Sequence, residues 1–498
     1  MKKPSPPRLA SILGPLLLAT LAGGWLGRQH FVQFTEPTGM LRAADPAPAP
    51  IRLPLTPRDF GAVGDGKTDD TVALRKAIAS GNFRLTRGAY LIRETLEIDL
   101  AANGFLSLAG DSSASLIMAG PGPALRIRGT HGGTADPTSV KPEIWRNERF
   151  PTVSGIEIVG AHEEADGIEA VGTMKLTLHR LLIRQVRHGV RLRDRNRNVL
   201  IADSHIYENR GIGVWLDHVN LHQTNISACH ISYCRGGGIV VQGGDVRNIQ
   251  ISGCDIEGNM SPETPPTANV LFDCADGSVA EAAIVGCTIQ HNAKSPESAN
   301  IRFRGRGKVP RRGEVLEFQC GNVTISDNVL SDVHHNIELT GVRGATIVGN
   351  TLWQGYTSNL TIDDCAQVVI SGNVLERNPL YGYTTEACNR VCVRNSHDLT
   401  IQGLHIHQVR ETEAGFLLDN CDRVLMTGCS ILDCDGPELL VRNVRRSLIA
   451  HCQLRDDRPA GDRAASEEGA SSLEVQGNNP GTRFELNSLG TAVSPGKN

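Results

Sequence analysis

Between Val153 and Leu454 the chain restates one short phrase twelve times: an apolar residue, two variable positions, a small or polar residue, one further position, then another apolar residue. Copies include Val153-Ile156-Ile158, Ile201-Ser204-Ile206, Ile226-Cys229-Ile231, Ile347-Asn350-Leu352 and Ile449-Cys452-Leu454. Uninterrupted steps between copies are 22 to 25 residues long. A fixed period of that size, carried by short β-branched alternations instead of helical spacing, marks a solenoid whose units cannot bury their apolar faces singly. The expected architecture is all-β, a single-stranded parallel β-helix. Steps of 33 residues from Ile251 to Ile284, 41 from Ile284 to Ile325 and 31 from Ile370 to Ile401 keep the phrase and place extra chain in loops on the stacked frame.

The middle position of the phrase reads Ser204, Cys229, Cys254, Cys287, Asn328, Asn350, Asn373, Leu404, Cys429 and Cys452 in ten of the copies, so like residues fall above like. This predicts an internal stack at a turn, where Asn side chains bond from rung to rung and Cys acts as a small apolar residue. Disulfides or a metal site are the alternative use of the cysteines, but no Cys-x-x-Cys pair stands with a matching His-x-x-x-His segment. All 13 cysteines lie at or beyond Cys229, and an odd number leaves one unpaired in a monomer. No metal ligand is assigned.

The ends differ from the middle. Lys2, Lys3 and Arg8 precede an apolar run from Ser11 to Gly27 broken by Pro15, the layout of an export signal, with Ala22 and Gly24 as small residues for cleavage and an uncleaved membrane anchor as the alternative. Residues 1–27 are therefore assigned to export, 28–55 to an Ala/Pro-rich linker, 56–455 to the coil, and 456–498 to a polar tail with room for one more rung around Leu473-Val475. A secreted, periplasmic or cell-surface location follows. The net charge of −4 and 4% aromatic residues give no sign of a nucleic-acid partner.

After the linker stands Asp59-Phe60-Gly61-Ala62-Val63-Gly64-Asp65-Gly66-Lys67-Thr68-Asp69-Asp70-Thr71, followed by a short helical pattern through Val72, Leu74, Ala77 and Ile78. This segment resembles the opening of the pectate lyase superfamily, in the branch of polygalacturonases, rhamnogalacturonase/epimerase-like proteins and phage tailspikes. The resemblance implies a right-handed coil closed at its N-terminal end by a short helix, action on a polysaccharide, and a homotrimer as the open alternative for assembly. In the family the segment is structural, and Asp69 and Asp70 also suit the negative charge that a helix N-terminus favours.

Each coil carries a second strand whose alternation separates core from surface. In Gly189-Val190-Arg191-Leu192-Arg193 and Gly213-Val214-Trp215-Leu216-Asp217 the apolar residues point inward. Down the stack this gives one outward row of Glu169, Arg191, Trp215, Val240, Leu271, Arg302, Glu338, Thr361, Cys392 and Leu417. Beside it runs a second, charged row of Val171, Arg193, Asp217, Gln242, Asp273, Arg304, Thr340, Asp363, Arg394 and Asp419. With rungs about 4.8 Å apart, this face suits a linear polymer.

Two uses of the charged row compete. As structure, Arg193 with Asp217 and Asp273 with Arg304 form ion pairs between neighbouring rungs, each worth roughly 0–1 kcal/mol when exposed. As chemistry, Asp217 and Asp273 stand two rungs apart and suit the paired carboxyl groups of an inverting glycosidase; in a lyase, a carboxylate cluster would hold Ca²⁺ against the sugar acid while Arg193 or Arg304 takes the neighbouring proton.

Against the polygalacturonase pattern, Asp166-Gly167-Ile168-Glu169 is similar to the Asn-Thr-Asp strand and Arg187-His188-Gly189-Val190 to the Gly-His-Gly strand. The Asp-Asp rung between them is missing and no Arg-Ile-Lys follows, which argues against ordinary polygalacturonase activity. The candidate catalytic residues are Asp217, Asp273, Asp166, His188 and His218, and the candidate substrate-binding residues are Trp215, Arg193, Gln242, Arg302, Arg304, Glu338 and Asp363. A basic insertion with Arg302, Arg304, Arg306, Lys308, Arg311 and Arg312 adds a positive patch. The expected function is a glycoside hydrolase or lyase acting on an acidic, uronate-containing polysaccharide, with a polysaccharide epimerase and a non-catalytic glycan-binding or envelope solenoid as alternatives.

Overall fold

The computed structural model describes residues 55–495 apart from 82, 306–308, 312–313, 317–319, 379–385, 460–470 and 491–493. The export segment, all of the linker before residue 55, and Arg306, Lys308, Arg312 and the side chain of Arg311 in the basic insertion lie outside the described residues. No described helix is long and apolar enough to cross a membrane.

The chain winds into a right-handed parallel β-helix. Each full coil has three strands, where the sequence revealed two. The coil at Val190–Ala202 and His205–Tyr207 is representative. Val190 to Arg193 lies on a first face, Val199 to Ala202 on a second, and His205–Tyr207 on a third. The third face is a 16-stranded parallel ladder running from Asp65–Asp69 to Ser488–Leu489. The first and second faces together form one 26-stranded sheet. They join because four strands, β1 (Val190–Ala202), β2 (Ile212–Ser227), β3 (Gly237–Ser252) and β4 (Ala268–Val285), run through the corner without a break.

The repeated phrase is the corner between the second and third faces. Ile201 ends one strand, Ser204 sits in the turn and Ile206 opens the next. Turning there requires a left-handed residue, found at Asp203 (φ 48°), Gly253 (58°), Gly286 (64°), Gly349 (68°) and Gly428 (63°). Glycine spares this position the roughly 1–2 kcal/mol that a Cβ costs in that conformation. The apolar ends of the phrase meet inside the coil, where Ile201, Ile206, Ile226, Ile231 and Ile251 are all at most 1% exposed and belong to one continuous core.

Both expected corner stacks form. The Asn350 side-chain amide donates to Asn373 Oδ1 at 2.9 Å, and its own oxygen accepts from Asn328 Nδ2 at 2.9 Å. All 13 cysteines are free thiols. The Cys229, Cys254 and Cys287 thiols face carbonyl oxygens of the coil below, at 3.6 to 3.9 Å. A second Asn ladder, unforeseen in the sequence, links Asn259, Asn269, Asn300, Asn336 and Asn359 through amide bonds of 2.7 to 3.0 Å, every member fully buried.

At the N-terminal end, helix α1 (Thr71–Ala79) packs Leu74, Ala77 and Ile78 onto the coil. Val72, expected on the same apolar face, is 62% exposed because it lies on the opposite side of the first turn. The two aspartates also divide the expected capping role. Asp69 Oδ1 accepts from Thr71 N at 3.0 Å, whereas Asp70 accepts from Val63 N and Gly64 N at 2.7 and 2.9 Å, closing the glycine loop instead of capping the helix. At the other end, Leu473–Gln476, Arg483–Glu485 and Ser488–Leu489 add one strand to each face beyond residue 455.

Candidate functional site

The outward rows on the first face stand in register. Glu169, Arg191, Trp215, Val240, Leu271, Arg302 and Glu338 pair rung to rung, as do Val171, Arg193, Asp217, Gln242, Asp273, Arg304 and Thr340. Strand geometry thus places two side chains per coil on this surface.

The densest constellation lies where β1 and β2 cross this face. Arg191 Nε donates to Asp217 Oδ2 at 2.8 Å, and its guanidinium stands 4.4 Å from the centre of the Trp215 ring. Its Nη1 also lies 3.8 Å from Glu169. The His188 and Trp215 ring centres are 4.7 Å apart. His218 Nδ1 donates to Asp217 Oδ1 at 2.6 Å. Asp217 is therefore gripped at both oxygens. Burial pushes its carboxyl up, but the bonds from His218 and Arg191 outweigh that and leave it below the ordinary carboxylate value.

The expected Arg193–Asp217 ion pair does not form. Arg193 turns instead to Glu169, Nη1 to Oε2 at 3.4 Å, while Arg126 Nε donates to the other Glu169 oxygen at 2.6 Å. The oxygens of Asp217 are already occupied by Arg191 and His218, and Glu169 offers Arg193 a carboxylate still in reach.

The two histidines are held in different states. His188 Nδ1 accepts the Ile212 backbone N–H at 3.2 Å, which fixes the ring proton on Nε2. Burial pushes its pKa down to about 4, so the ring is neutral, with its N–H on Nε2. His218 has the reverse arrangement: its Nδ1–H is committed to Asp217, leaving Nε2 as the nitrogen open to a ligand on an exposed ring. Its backbone is left-handed, φ 48°. A Cβ at Gly243 on the next rung would lie 2.5 Å from His218 Cδ2 and 2.9 Å from Nε2, so the imidazole occupies the space that this glycine leaves open.

Asp166 stands at the edge of the group, held by Arg187 through two bonds of 2.9 and 2.8 Å and by the His188 backbone N–H at 3.1 Å. The remaining sequence candidates lie farther along the face. Gln242 is exposed between the Asp217 and Asp273 rungs. Asp273 accepts from the Ala275 N–H at 3.1 Å and lies 3.9 Å from Arg304, the rung pair expected. Arg302 is 3% exposed and spent on Glu338 (2.5 Å) and the Thr267 carbonyl (3.0 Å). Asp363 accepts from Arg394 and Asn395 at 2.9 and 2.8 Å. The structure thus gathers Asp166, His188, Arg193, Trp215, Asp217 and His218, and leaves Asp273, Arg302, Arg304, Glu338 and Asp363 in separate pairs. Sequence reasoning placed Arg191 in its row but not in the site, and did not single out Gly243. The signal for Arg191 was its position between Glu169 and Trp215.

A family model described as "Right handed beta helix region" matches residues 152–289, and one described as "Periplasmic copper-binding protein (NosD)" matches residues 267–451. No curated protein matches the chain. Among solved structures, tailspike protein 3 of Bacteriophage CBA120 is 13% identical with a TM-score of 0.44, the match covering 87% of this chain and 59% of that one. The chain thus spans under two thirds of that tailspike's length. The mannuronan C-5 epimerase AlgE6 A-module of Azotobacter vinelandii is 15% identical with a TM-score of 0.34, over 89% of this chain and 100% of that one. PfbA, a surface adhesin of Streptococcus pneumoniae, is 14% identical with a TM-score of 0.41, over 83% and 96%. At these identities and TM-scores the likenesses carry no inference about activity.

The described residues do not fit a copper ion. Among the described residues no three His, Cys, Asp or Glu side chains group so as to hold a metal, and the cysteines, Cys388 apart, are fully buried thiols. No copper-dependent step follows from them.

Proposed function

We propose that the shelf around Asp217 and His218 binds a uronate-containing polysaccharide outside the cytoplasm and abstracts the proton on the carbon bearing the sugar carboxylate, as a lyase or an epimerase. The observation that carries this is the oriented base: Asp217 holds His218 Nδ1–H at 2.6 Å and leaves Nε2 free over Gly243. A positioned imidazole of this kind supports general base catalysis. Arg191 and Arg193 stand on the adjoining row positions, where a guanidinium suits bidentate contact with a carboxylate. Trp215 backs the Arg191 guanidinium at 4.4 Å, and neutral His188 beside it carries an N–H on Nε2.

In the chemical step, His218 Nε2 takes the proton and the carbon's electron pair moves toward the carboxylate, whose charge the arginines offset. In elimination the pair then forms a double bond as the 4-linked oxygen leaves. In epimerisation the carbon is reprotonated from the opposite side. Hydrolysis fits less well, because a general acid must be protonated at work and Asp217 is held below the ordinary carboxylate value. Arginines occupy the carboxylate oxygens that Ca²⁺ would need, and they supply the positive charge in its place.

The test is incubation with a panel of acidic and neutral polysaccharides in deuterated buffer, with and without Ca²⁺. Either ultraviolet absorbance from unsaturated sugars or deuterium at the carbon beside the carboxylate is expected, and both should vanish in His218→Ala. New reducing ends without unsaturation, or turnover that survives His218→Ala, would overturn the proposal. Binding without any turnover would favour the non-catalytic solenoid.

A further inference from the structure

One corner away from the charged shelf, the second face carries a groove of about 440 Å³. Phe150, 62% exposed, and Leu200, 44% exposed, give it open apolar surface. Asn198, Gln223, Asn225, Asn248 and Gln250 bring five carboxamides to its lining, in which Lys175 is the single charged residue.

Backbone geometry explains only part of this collection. Asn198 and Asn248 have φ of 53° and 57°, a conformation in which asparagine is favoured. The same need does not select Gln223 at φ 66°. Nor does it touch Asn225 and Gln250, which lie within long strands, where asparagine is ordinarily depleted. Their outward row runs in register from Ser107 to Arg483; before Asn225 it carries Thr152, Thr177 and Leu200, and after Gln250 it carries Ala283, Thr324, Thr346, Val369, Thr400, Leu425 and Leu448. Carboxamides enter that row only where the groove lies.

Their mutual bonds leave a definite surplus. Asn225 Nδ2 donates to Gln250 Oε1 at 3.1 Å, Asn198 Nδ2 donates to Gln223 Oε1, and Asn248 Nδ2 is 3.1 Å from His222 Nε2. Among the described residues this leaves the amino groups of Gln223 and Gln250 as donors and the oxygens of Asn225 and Asn248 as acceptors. Donors and acceptors thus alternate at rung spacings of about 4.8 Å, next to exposed apolar surface. A sugar chain without charge matches both properties, since its ring faces are apolar and its hydroxyls donate and accept. A polyanion would meet one cation here.

We infer that this groove binds a neutral oligosaccharide, independently of the acidic chain proposed for the first face. Titration calorimetry of the intact protein with cellohexaose, maltohexaose and mannohexaose tests it. Binding of at least one is expected, weakened about tenfold or more by the double change Asn225→Thr and Gln250→Thr, which installs the residue this row uses at five other rungs. Leu200→Ala should weaken it as well, while Arg191→Ala and His218→Ala should leave it unchanged. Absence of binding to all three hexasaccharides would overturn the inference. So would affinity that survives both second-face variants, or affinity lost on Arg191→Ala.

Discussion

His218 and Asp217 are consecutive residues whose side chains meet at 2.6 Å on one surface of a strand. Neighbours in a regular strand point to opposite faces. The left-handed backbone of His218, φ 48°, brings its ring back over the face that Asp217 occupies. Left-handed residues follow the first-face strand on neighbouring coils too, at Gly172, Asp194 and Gly243, so the corner of the coil itself supplies the turn that brings the two side chains together.

If His218 is the base, His218→Asn should lower turnover by about 10²–10⁴-fold while polysaccharide affinity stays near that of the parent. Asp217→Asn should lower turnover too, since an amide can present an N–H to Nδ1 and so shift the ring proton to Nε2. Initial rates on the identified polymer, with affinity measured separately, decide this. A loss confined to affinity would make the pair a binding element.

Gly243→Ala tests the space beneath the imidazole. The added Cβ meets Cδ2 at 2.5 Å, and the φ of 61° adds roughly 1–2 kcal/mol of backbone cost. The expected variant is folded, modestly less stable and nearly inactive. Full activity would show that the ring position seen here is not the working one.

Acid should weaken the fold through two histidines. Burial pushes His131 down to about 4, and Arg195 and Arg197 push it further in the same direction; burial likewise holds His188 at about 4, against 6.5 for an unburied imidazole. The unfolded chain then binds more protons than the folded one between these values. Their contribution is complete above pH 6.5 and is lost as pH falls toward 4, with no further change below. Urea midpoints measured from pH 8 to 3.5 should decline across that window, and His131→Asn should flatten the decline. An unchanged slope in that variant would reject the assignment.

Removing one rung of an asparagine ladder should cost more than removing a corner thiol. Asn350→Ala strips a partner from Asn328 N and Nδ2 and leaves the Ile325 carbonyl without the side-chain donor now at 3.0 Å. Each buried polar group left unsatisfied costs about 1–3 kcal/mol. Cys229→Ala removes only weak thiol contacts at 3.2 and 3.7 Å. Thermal unfolding of the two variants should rank them in that order.

The sequence carried much of this coil and less of its site. Alternation at Val190, Leu192, Val214 and Leu216 was enough to align both outward rows, because a period of two leaves one register that buries the apolar set. The third face escaped notice because its strands, such as His205–Tyr207, are three residues long and lie inside the repeated phrase. The Asn259 to Asn359 ladder was hidden by insertions that spread its members unevenly along the chain. In the site, register named the neighbours of Asp217 but not its partners. Arg193 and Arg191 both reach across rungs, and competition for Asp217, won by Arg191 and His218, sent Arg193 to Glu169, which no single strand records.

The corner thiols have a consequence for how the protein is made. All but Cys388 are buried in the finished coil, so the folded protein gives an oxidant little access to them. An unfolded chain offers all thirteen. Under oxidising conditions folding is then a race between winding and sulfur chemistry, and a solenoid is suited to win it: neighbouring coils touch only each other, so each newly laid turn can shelter its own cysteine before the rest of the chain is wound.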